Sequence, residues 1–175
     1  MIKPALLSIV LLAVFGTLWS DAAPAPFSLA VVPTRSFGDG GIIAMSHDKP
    51  QDFYVVLTNV SGEPQVVWEL WNSWGHQTIS FELTTANGKR FVLSRGPQGF
   101  TKNNPSTSVQ PGEHEVYAIH LDKSWLTAPA FPKADEMPIT LKAVYQVSPT
   151  PEATEHKVWA GRVESHTYHF TLRQW

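Results

Sequence analysis

The seven histidines are the residues that first invite a chemical interpretation, because imidazole can bind a metal ion or act as a general base. His166 and His169 are three residues apart, which places two side chains on one face of a helix but on opposite faces of a strand. His114 and His120 share strand parity, yet they lie ~20 Å apart along an extended chain. Since cysteine ligands are also absent, we expect no metal and no cofactor.

Nucleophilic catalysis has equally little support from residue spacing. Hydrolases of the α/β type place their serine in a Gly-x-Ser-x-Gly turn, and this sequence contains no such segment. Asn72-Ser73-Trp74-Gly75 is similar to the segment around the orienting asparagine of papain-like cysteine proteases, but that chemistry needs a thiolate and the chain has no cysteine. We therefore predict no catalytic residues, with Trp74 filling the core or a sheet end and Gly75 turning the chain.

Tryptophan side chains are further candidates for ligand contact. Trp68, Trp71 and Trp74 lie within seven residues of one another. On one strand Trp68 and Trp71 have opposite parity, so we expect one of them in the core and the other outside it. An exposed coplanar pair among these three and Trp125 would favour carbohydrate binding by stacking, whereas burial of all four would exclude it.

A long polar segment, residues 94–110, contains most of the predicted binding residues. It exceeds the about 4–6 residues of an ordinary connection, and long loops in compact domains are often functional. The segment contains a pair of cations, an aromatic ring and two amides, which suit a polar partner. One tryptophan outside the segment is also predicted to contact the partner. The predicted binding residues are Arg95, Phe100, Lys102, Asn103, Asn104 and Trp125. Alternatively, the phenylalanine packs into the edge of the fold and the asparagines satisfy turn backbone.

The scaffold that must position these residues is predicted to be all-β, because apolar residues alternate along the chain with the period of strands. The pair Asn87-Gly88 between two alternating runs indicates a hairpin, since both residues tolerate a positive φ. About nine such runs, with uneven loops and no long helical period, predict an immunoglobulin-like antiparallel β-sandwich. The predicted core residues are Phe81, Leu83, Ile119, Leu141, Tyr145 and Phe170.

The N-terminus indicates export. One positive charge precedes an apolar run over residues 5–19, which is shorter than the ~20 residues of a membrane-spanning helix. Ser20 and Ala22 supply small residues at the −3 and −1 positions of a cleavage site. We predict a signal peptide over residues 1–22 and a single β-sandwich domain over residues 23–175, secreted or periplasmic. Retention of the apolar run as an anchor is the alternative.

Composition narrows the classes of partner. Charged residues make up 16% of the chain, below the ~25% of a typical globular protein. The formal net charge is −2, and no basic block is present to attract nucleic acid. The absence of cysteine excludes disulfides and thiol chemistry. We expect a protein or a glycan as the partner, no nucleic acid, and no membrane span after cleavage of the signal.

Several segments occur in an order that carries a resemblance. They are Asn72-Ser73-Trp74-Gly75, Phe81-Glu82-Leu83, Thr101-Lys102-Asn103-Asn104-Pro105, Gln110-Pro111-Gly112-Glu113 and Trp159-Ala160-Gly161-Arg162-Val163-Glu164-Ser165. Together they resemble a domain that recurs in uncharacterised secreted bacterial proteins and is usually interpreted as an immunoglobulin-like sandwich. The likeness covers most of residues 53–172. It implies an exported β-sandwich and brings no catalytic residues and no settled ligand.

The interpretation that accommodates these features is a secreted, non-enzymatic interaction module of the cell envelope. Two alternatives remain at this level. One is a carbohydrate-binding module that uses exposed tryptophan, and the other is a protease inhibitor that presents a loop.

Overall fold

A computed structural model describes residues 24–37, 40–45, 52–96, 106–122, 124–128 and 135–174. The predicted signal peptide, residues 1–22, lies outside the described residues. Strands account for 60% of the described residues and helix for 4%, so the prediction of a nearly all-β chain is confirmed. No helix in this part of the chain is both long and apolar enough to cross a membrane.

The described residues form thirteen strands and one short helix. In chain order they are β1 (Phe27–Val32), β2 (Arg35–Phe37), β3 (Gly40–Met45), β4 (Phe53–Asn59), β5 (Gln65–Trp68), β6 (Ile79–Thr85), β7 (Arg90–Arg95), β8 (Ser106–Val109), β9 (His114–Ile119), β10 (Trp125–Ala128), β11 (Glu136–Val147), α1 (Pro151–Glu155), β12 (Gly161–Glu164) and β13 (Tyr168–Gln174).

A three-stranded antiparallel sheet has the order β1-β4-β9. Alternation along its middle strand separates two faces, since Phe53, Val55 and Leu57 are fully buried while Tyr54 between them is exposed. The buried side faces the rest of the molecule. The other side is the outer surface of this sheet.

The largest sheet has the order β10-β7-β6-β11-β13-β3-β2, with β12 pairing beside it on β11. Its neighbouring strands are antiparallel except β13 and β3, which run parallel. The predicted hairpin at Asn87-Gly88 is confirmed, because β6 and β7 are antiparallel neighbours and Gly88 has a φ of 79°. Only glycine adopts that backbone region without cost, so the turn fixes the register of the two strands.

A third, two-stranded sheet joins β5 to β8, and the helix α1 lies close to it in the fold. Val66 of β5 forms an isolated bridge with Val158, just after α1. The sequence contains the signals of this helix, although we predicted a loop over residues 148–155. Thr150 caps it by accepting a hydrogen bond from the Ala153 amide, and Pro151 occupies its first turn, where a missing N–H has no cost.

The core lies between the three-stranded sheet and the largest sheet, and all six predicted core residues are buried. The Phe53 ring of β4 meets the Phe81 ring of β6 edge-on at 5.3 Å between centroids. Tyr117 of β9 stacks on Tyr145 of β11 at 6.3 Å. Burial raises the pKa of both phenols, so both hydroxyls stay neutral.

Two expectations differ from the structure in detail. The strands outnumber the predicted nine because several are only three or four residues long, too short for an alternation pattern to be recognised. The predicted loop over residues 94–110 is shorter than expected, since β7 extends to Arg95 and β8 begins at Ser106. The intervening residues 97–105 lie outside the described residues.

Candidate functional site

Two of the predicted binding residues come together at one end of the largest sheet. Arg95 ends β7, Trp125 begins β10, and the two are paired in register. The Arg95 guanidinium lies over the Trp125 ring, with 5.1 Å between its central carbon and the ring centroid. The indole is only 6% exposed, and its Nε1 donates to the backbone oxygen of His120 at 2.7 Å. Trp125 is therefore a packing residue rather than a surface for stacking.

The other four predicted binding residues are Phe100, Lys102, Asn103 and Asn104, which lie outside the described residues. Their grouping with Arg95 and Trp125 therefore stays a prediction.

The surroundings of Arg95 include two titratable residues that sequence reasoning did not select. The Arg95 Nη1 lies 3.4 Å from the His76 Nδ1. Burial lowers the pKa of His76, and the Arg95 charge lowers it further. Burial tends to raise the pKa of Asp122, but hydrogen bonds from Ser124 and the charges of His120 and Arg95 outweigh it, so that pKa lies below its usual value. We call His76, Arg95, Asp122 and Trp125 the Arg95 cluster.

The Arg95 cluster predicts a pH-dependent stability. Because the pKa of His76 is lowered on folding from 6.5, the unfolded chain binds more protons below that pH. We expect the free energy of unfolding to be fully retained above pH 6.5 and to fall below it, by at most about 1.4 kcal/mol per pH unit. Urea unfolding between pH 8 and 5.5 measures this slope. His76→Gln should flatten it and the exposed His169→Gln should not; equal slopes in all three proteins would contradict the prediction.

The tryptophans do not form an exposed coplanar pair. Trp68 is buried, and Trp74 is half-buried and stacks face to face on it, with centroids 5.3 Å apart and planes 20° apart. Trp125 is buried as well, and Trp71 is 55% exposed. The expectation that one of Trp68 and Trp71 is in the core and the other outside it is confirmed. A flat tryptophan platform for carbohydrate has no support from these four side chains.

The Asn72-Ser73-Trp74-Gly75 segment is a tight turn. The buried Asn72 side-chain oxygen accepts hydrogen bonds from the backbone amides of Trp74 and Gly75, at 2.9 and 2.6 Å. A Cβ at Gly75 would overlap the backbone carbonyl of Glu69. The interpretation of Trp74 as a packing residue and Gly75 as a turn residue is confirmed.

The histidines considered for metal binding are dispersed in the fold. His166 precedes β13 and packs its ring on Tyr168, so the parity argument applies only to His169 on the strand. His114 accepts or donates a hydrogen bond with the Thr58 hydroxyl at 2.8 Å. His120 lies 3.5 Å from Asp52. Among the described residues, no group of three or more His, Asp or Glu side chains is gathered closely enough to hold a metal ion.

The outward strand positions of the three-stranded sheet carry no Asp, Glu, Lys or Arg side chain. Val32 of β1 is 47% exposed, Tyr54 of β4 is 41% exposed and Val116 of β9 is 57% exposed. Register places Val32 beside Tyr54, and Val116 beside Val56. We call this surface the apolar face; its outward side chains are Ser28, Ala30, Val32, Tyr54, Val56, Thr58, His114, Val116 and Ala118.

The outer surface of the largest sheet is different in character. Arg162 binds the carboxylates of Glu82 and Glu164 at 2.8 and 2.7 Å, and Lys142 binds Glu164 at 2.8 Å. Hydrogen bonds from Lys142 and Arg162 lower the pKa of Glu164. Such paired charges keep a sheet surface hydrated and discourage association. The two outer sheet surfaces therefore differ: ion pairs cover the largest sheet, whereas the apolar face has none among its outward strand positions.

Comparisons with known proteins do not assign the site. No protein-family model matches the chain, and no curated protein is similar to it at a significant level.

Proposed function

We propose that this chain is an exported, non-enzymatic interaction module that binds a protein partner through the apolar face. Three strands ~4.8 Å apart, each with three outward positions ~6.8 Å apart, make a surface of about 15 by 20 Å. Exposed apolar patches of roughly this size on monomeric proteins are often functional. The absence of Asp, Glu, Lys and Arg side chains from the apolar face is the single observation that carries the proposal.

A protein partner suits the apolar face better than a glycan does. Val32, Val56 and Val116 offer no hydrogen-bond partner to sugar hydroxyls, which would then be desolvated without compensation. Polar side chains lie at one end of the surface, where Ser28, Thr58 and His114 form a row. An apolar centre with a polar margin is the usual anatomy of a protein interface.

An immunoglobulin-like sandwich is the proposed architecture, and the strand order supports it. In such domains one sheet contains strands A, B and E, and the other has the order C′-C-F-G. The order β1-β4-β9 corresponds to the first, and β7-β6-β11-β13 corresponds to the second. The strands β2, β3 and β10 extend the second sheet beyond that pattern. The resemblance to domains of secreted bacterial proteins supports the same architecture.

Export and the lack of catalysis are the remaining parts of the proposal. Export rests on the apolar run over residues 5–19 and the small residues at positions 20 and 22. A non-enzymatic role is supported by the buried asparagine side chains, whose hydrogen bonds to backbone groups hold turns in place. Besides Asn72, the buried Asn59 side-chain nitrogen donates to the Glu63 and Val109 backbone oxygens at 2.7 and 2.8 Å.

The test compares a charge placed on each of the two outer sheet surfaces. We expect Val116→Lys to reduce capture of the partner by cross-linking in the source cells at least about tenfold, because burying an ammonium in an apolar interface is costly. Val92→Lys, at a 44% exposed valine on the largest sheet, should leave capture unchanged. Equal capture by both variants and the wild type, with unaltered melting temperatures, would contradict the proposal.

A further inference from the structure

A small cavity lies beside the stacked tryptophans, and its rigid wall is Trp74. Trp74 and Gln77 belong to the turn segment before β6, while Gln146 and Ser148 lie at the end of β11. The cavity has a volume of about 240 Å³. One face of Trp74 is fixed against the fully buried Trp68. The wall is therefore held in place by the core before any ligand arrives.

The polar groups around this cavity are a mixture of donors and acceptors. The Gln77 Nε2 donates to the Arg95 backbone oxygen at 3.1 Å, which leaves its Oε1 to accept. The Gln146 Oε1 accepts from Arg162 at 3.1 Å, which leaves its Nε2 to donate. The hydroxyls of Ser73 and Ser148 can do both.

The lining excludes charged ligands on physical grounds. None of the residues that line the cavity carries a charge, so a carboxylate or ammonium would lose hydration without an opposite charge to replace it. Hydroxyl groups, by contrast, both donate and accept, and the apolar faces of a polyol can lie on an indole ring. Two amides, each oriented by one hydrogen bond, beside an aromatic wall thus match a neutral, polyhydroxylated molecule.

We propose that this cavity, the Trp74 pocket, binds a neutral polyhydroxylated ligand of the size of one sugar ring. Its volume of about 240 Å³ equals that of roughly eight waters at ~30 Å³ each. A sugar ring of about twelve non-hydrogen atoms that is held by this few contacts binds with a dissociation constant on the order of 1 mM. The site is separate from the apolar face, so it does not depend on the proposed protein interaction.

The experiment titrates the full chain with defined neutral sugars and follows the tryptophan indole resonances by NMR. The probes are D-glucose, D-galactose, D-mannose and N-acetyl-D-glucosamine, with cellobiose as a chain end and D-glucuronate as a charged analogue. We expect at least one neutral probe to saturate in the millimolar range and glucuronate to bind at least about tenfold more weakly than its neutral counterpart. If cellobiose and glucose bind with similar affinity, the Trp74 pocket accepts the end of a glycan chain. If glucose binds and cellobiose does not, the ligand is a free sugar.

Three variants decide whether the Trp74 pocket is responsible. Ser148→Trp, at an exposed rim position, should fill the cavity and weaken binding at least about tenfold without touching the core. Trp71→Ala removes the exposed indole outside the cavity and should leave binding unchanged. Trp74→Ala should also abolish binding, but it disturbs the stack on Trp68, so Ser148→Trp carries the decision.

The results that overturn the proposal are equally definite. Absence of saturation by every neutral probe up to about 50 mM would exclude a ligand of this class at any useful affinity. Binding that persists in Ser148→Trp, or that is lost in Trp71→Ala, would place the ligand elsewhere. Because Val116→Lys alters the apolar face alone, unchanged sugar binding in that variant separates this proposal from the protein interaction.

Discussion

Phe81→Ala is expected to lower the free energy of unfolding by about 3–5 kcal/mol. The Phe81 side chain is 0% exposed and lies between the two main sheets. Its ring meets Phe53 of the three-stranded sheet at 5.3 Å and the Trp125 ring at 5.4 Å. Truncation removes the apolar transfer energy and both ring contacts, and it leaves a cavity that neighbouring strands cannot fill without losing their pairing.

Equilibrium urea unfolding, followed by fluorescence and circular dichroism, measures this loss. The matched control is Val92→Ala on the neighbouring strand β7, whose side chain points outward and is 44% exposed; its effect should stay within about 0.5 kcal/mol. A loss below about 1 kcal/mol for Phe81→Ala would show that the two sheets do not share one tightly packed core.

The Phe81 prediction illustrates what alternation along a strand can determine. Ile79, Phe81 and Leu83 alternate with polar residues in the sequence, and all three are buried in the structure. Strand parity is a local property, so it needs no knowledge of which strands are neighbours. The same locality explains why the hairpin at Asn87-Gly88 was predicted correctly.

Contacts between distant segments had no comparable signal. His76, Arg95 and Asp122 lie far apart in the sequence and meet because β7 pairs with β6 on one side and with β10 on the other. The sequence predicted Arg95 and Trp125 as binding residues, but it gave no sign that the Arg95 guanidinium lies over the Trp125 ring across the β7–β10 pair. Tertiary pairing had to be known before either role could be assigned.

The apolar face is intermediate between strand parity, which the sequence predicts, and contacts between distant segments, which it does not predict. Tyr54 and Val56 are apolar residues at the positions that alternate with buried Val55 and Leu57. Such a pattern is typical of a strand that is buried on both sides. Sheet topology gives β4 only one covered side, so the same residues form an exposed surface. The hydrophobicity of Tyr54 and Val56 could be recognised in the sequence. It could not show whether these side chains are buried in the core or exposed on an interaction surface.

Gly75→Ala is expected to lower the free energy of unfolding by at least about 3 kcal/mol, a large effect for the addition of one methyl group. The new Cβ would overlap the Glu69 backbone carbonyl, which already accepts a hydrogen bond from the Asn72 amide at 3.3 Å. Backbone cannot rotate aside as a flexible side chain can. The Gly75 amide is also held at 2.6 Å by the Asn72 side chain, so relief of the overlap must break this turn.

Gly62→Ala is the matched control, because no atom lies within 4 Å of a Cβ at that position. It should leave the free energy of unfolding unchanged or raise it by up to about 1 kcal/mol through reduced freedom of the unfolded chain. Near-ultraviolet circular dichroism adds a second measurement, since the turn carries Trp74 onto Trp68 and their stacked rings are 5.3 Å apart. We expect that signal to change in Gly75→Ala and not in Gly62→Ala. Equal stability of the two variants would mean that the turn accommodates a side chain, and that the glycine of the Asn-Ser-Trp-Gly segment is not required for packing.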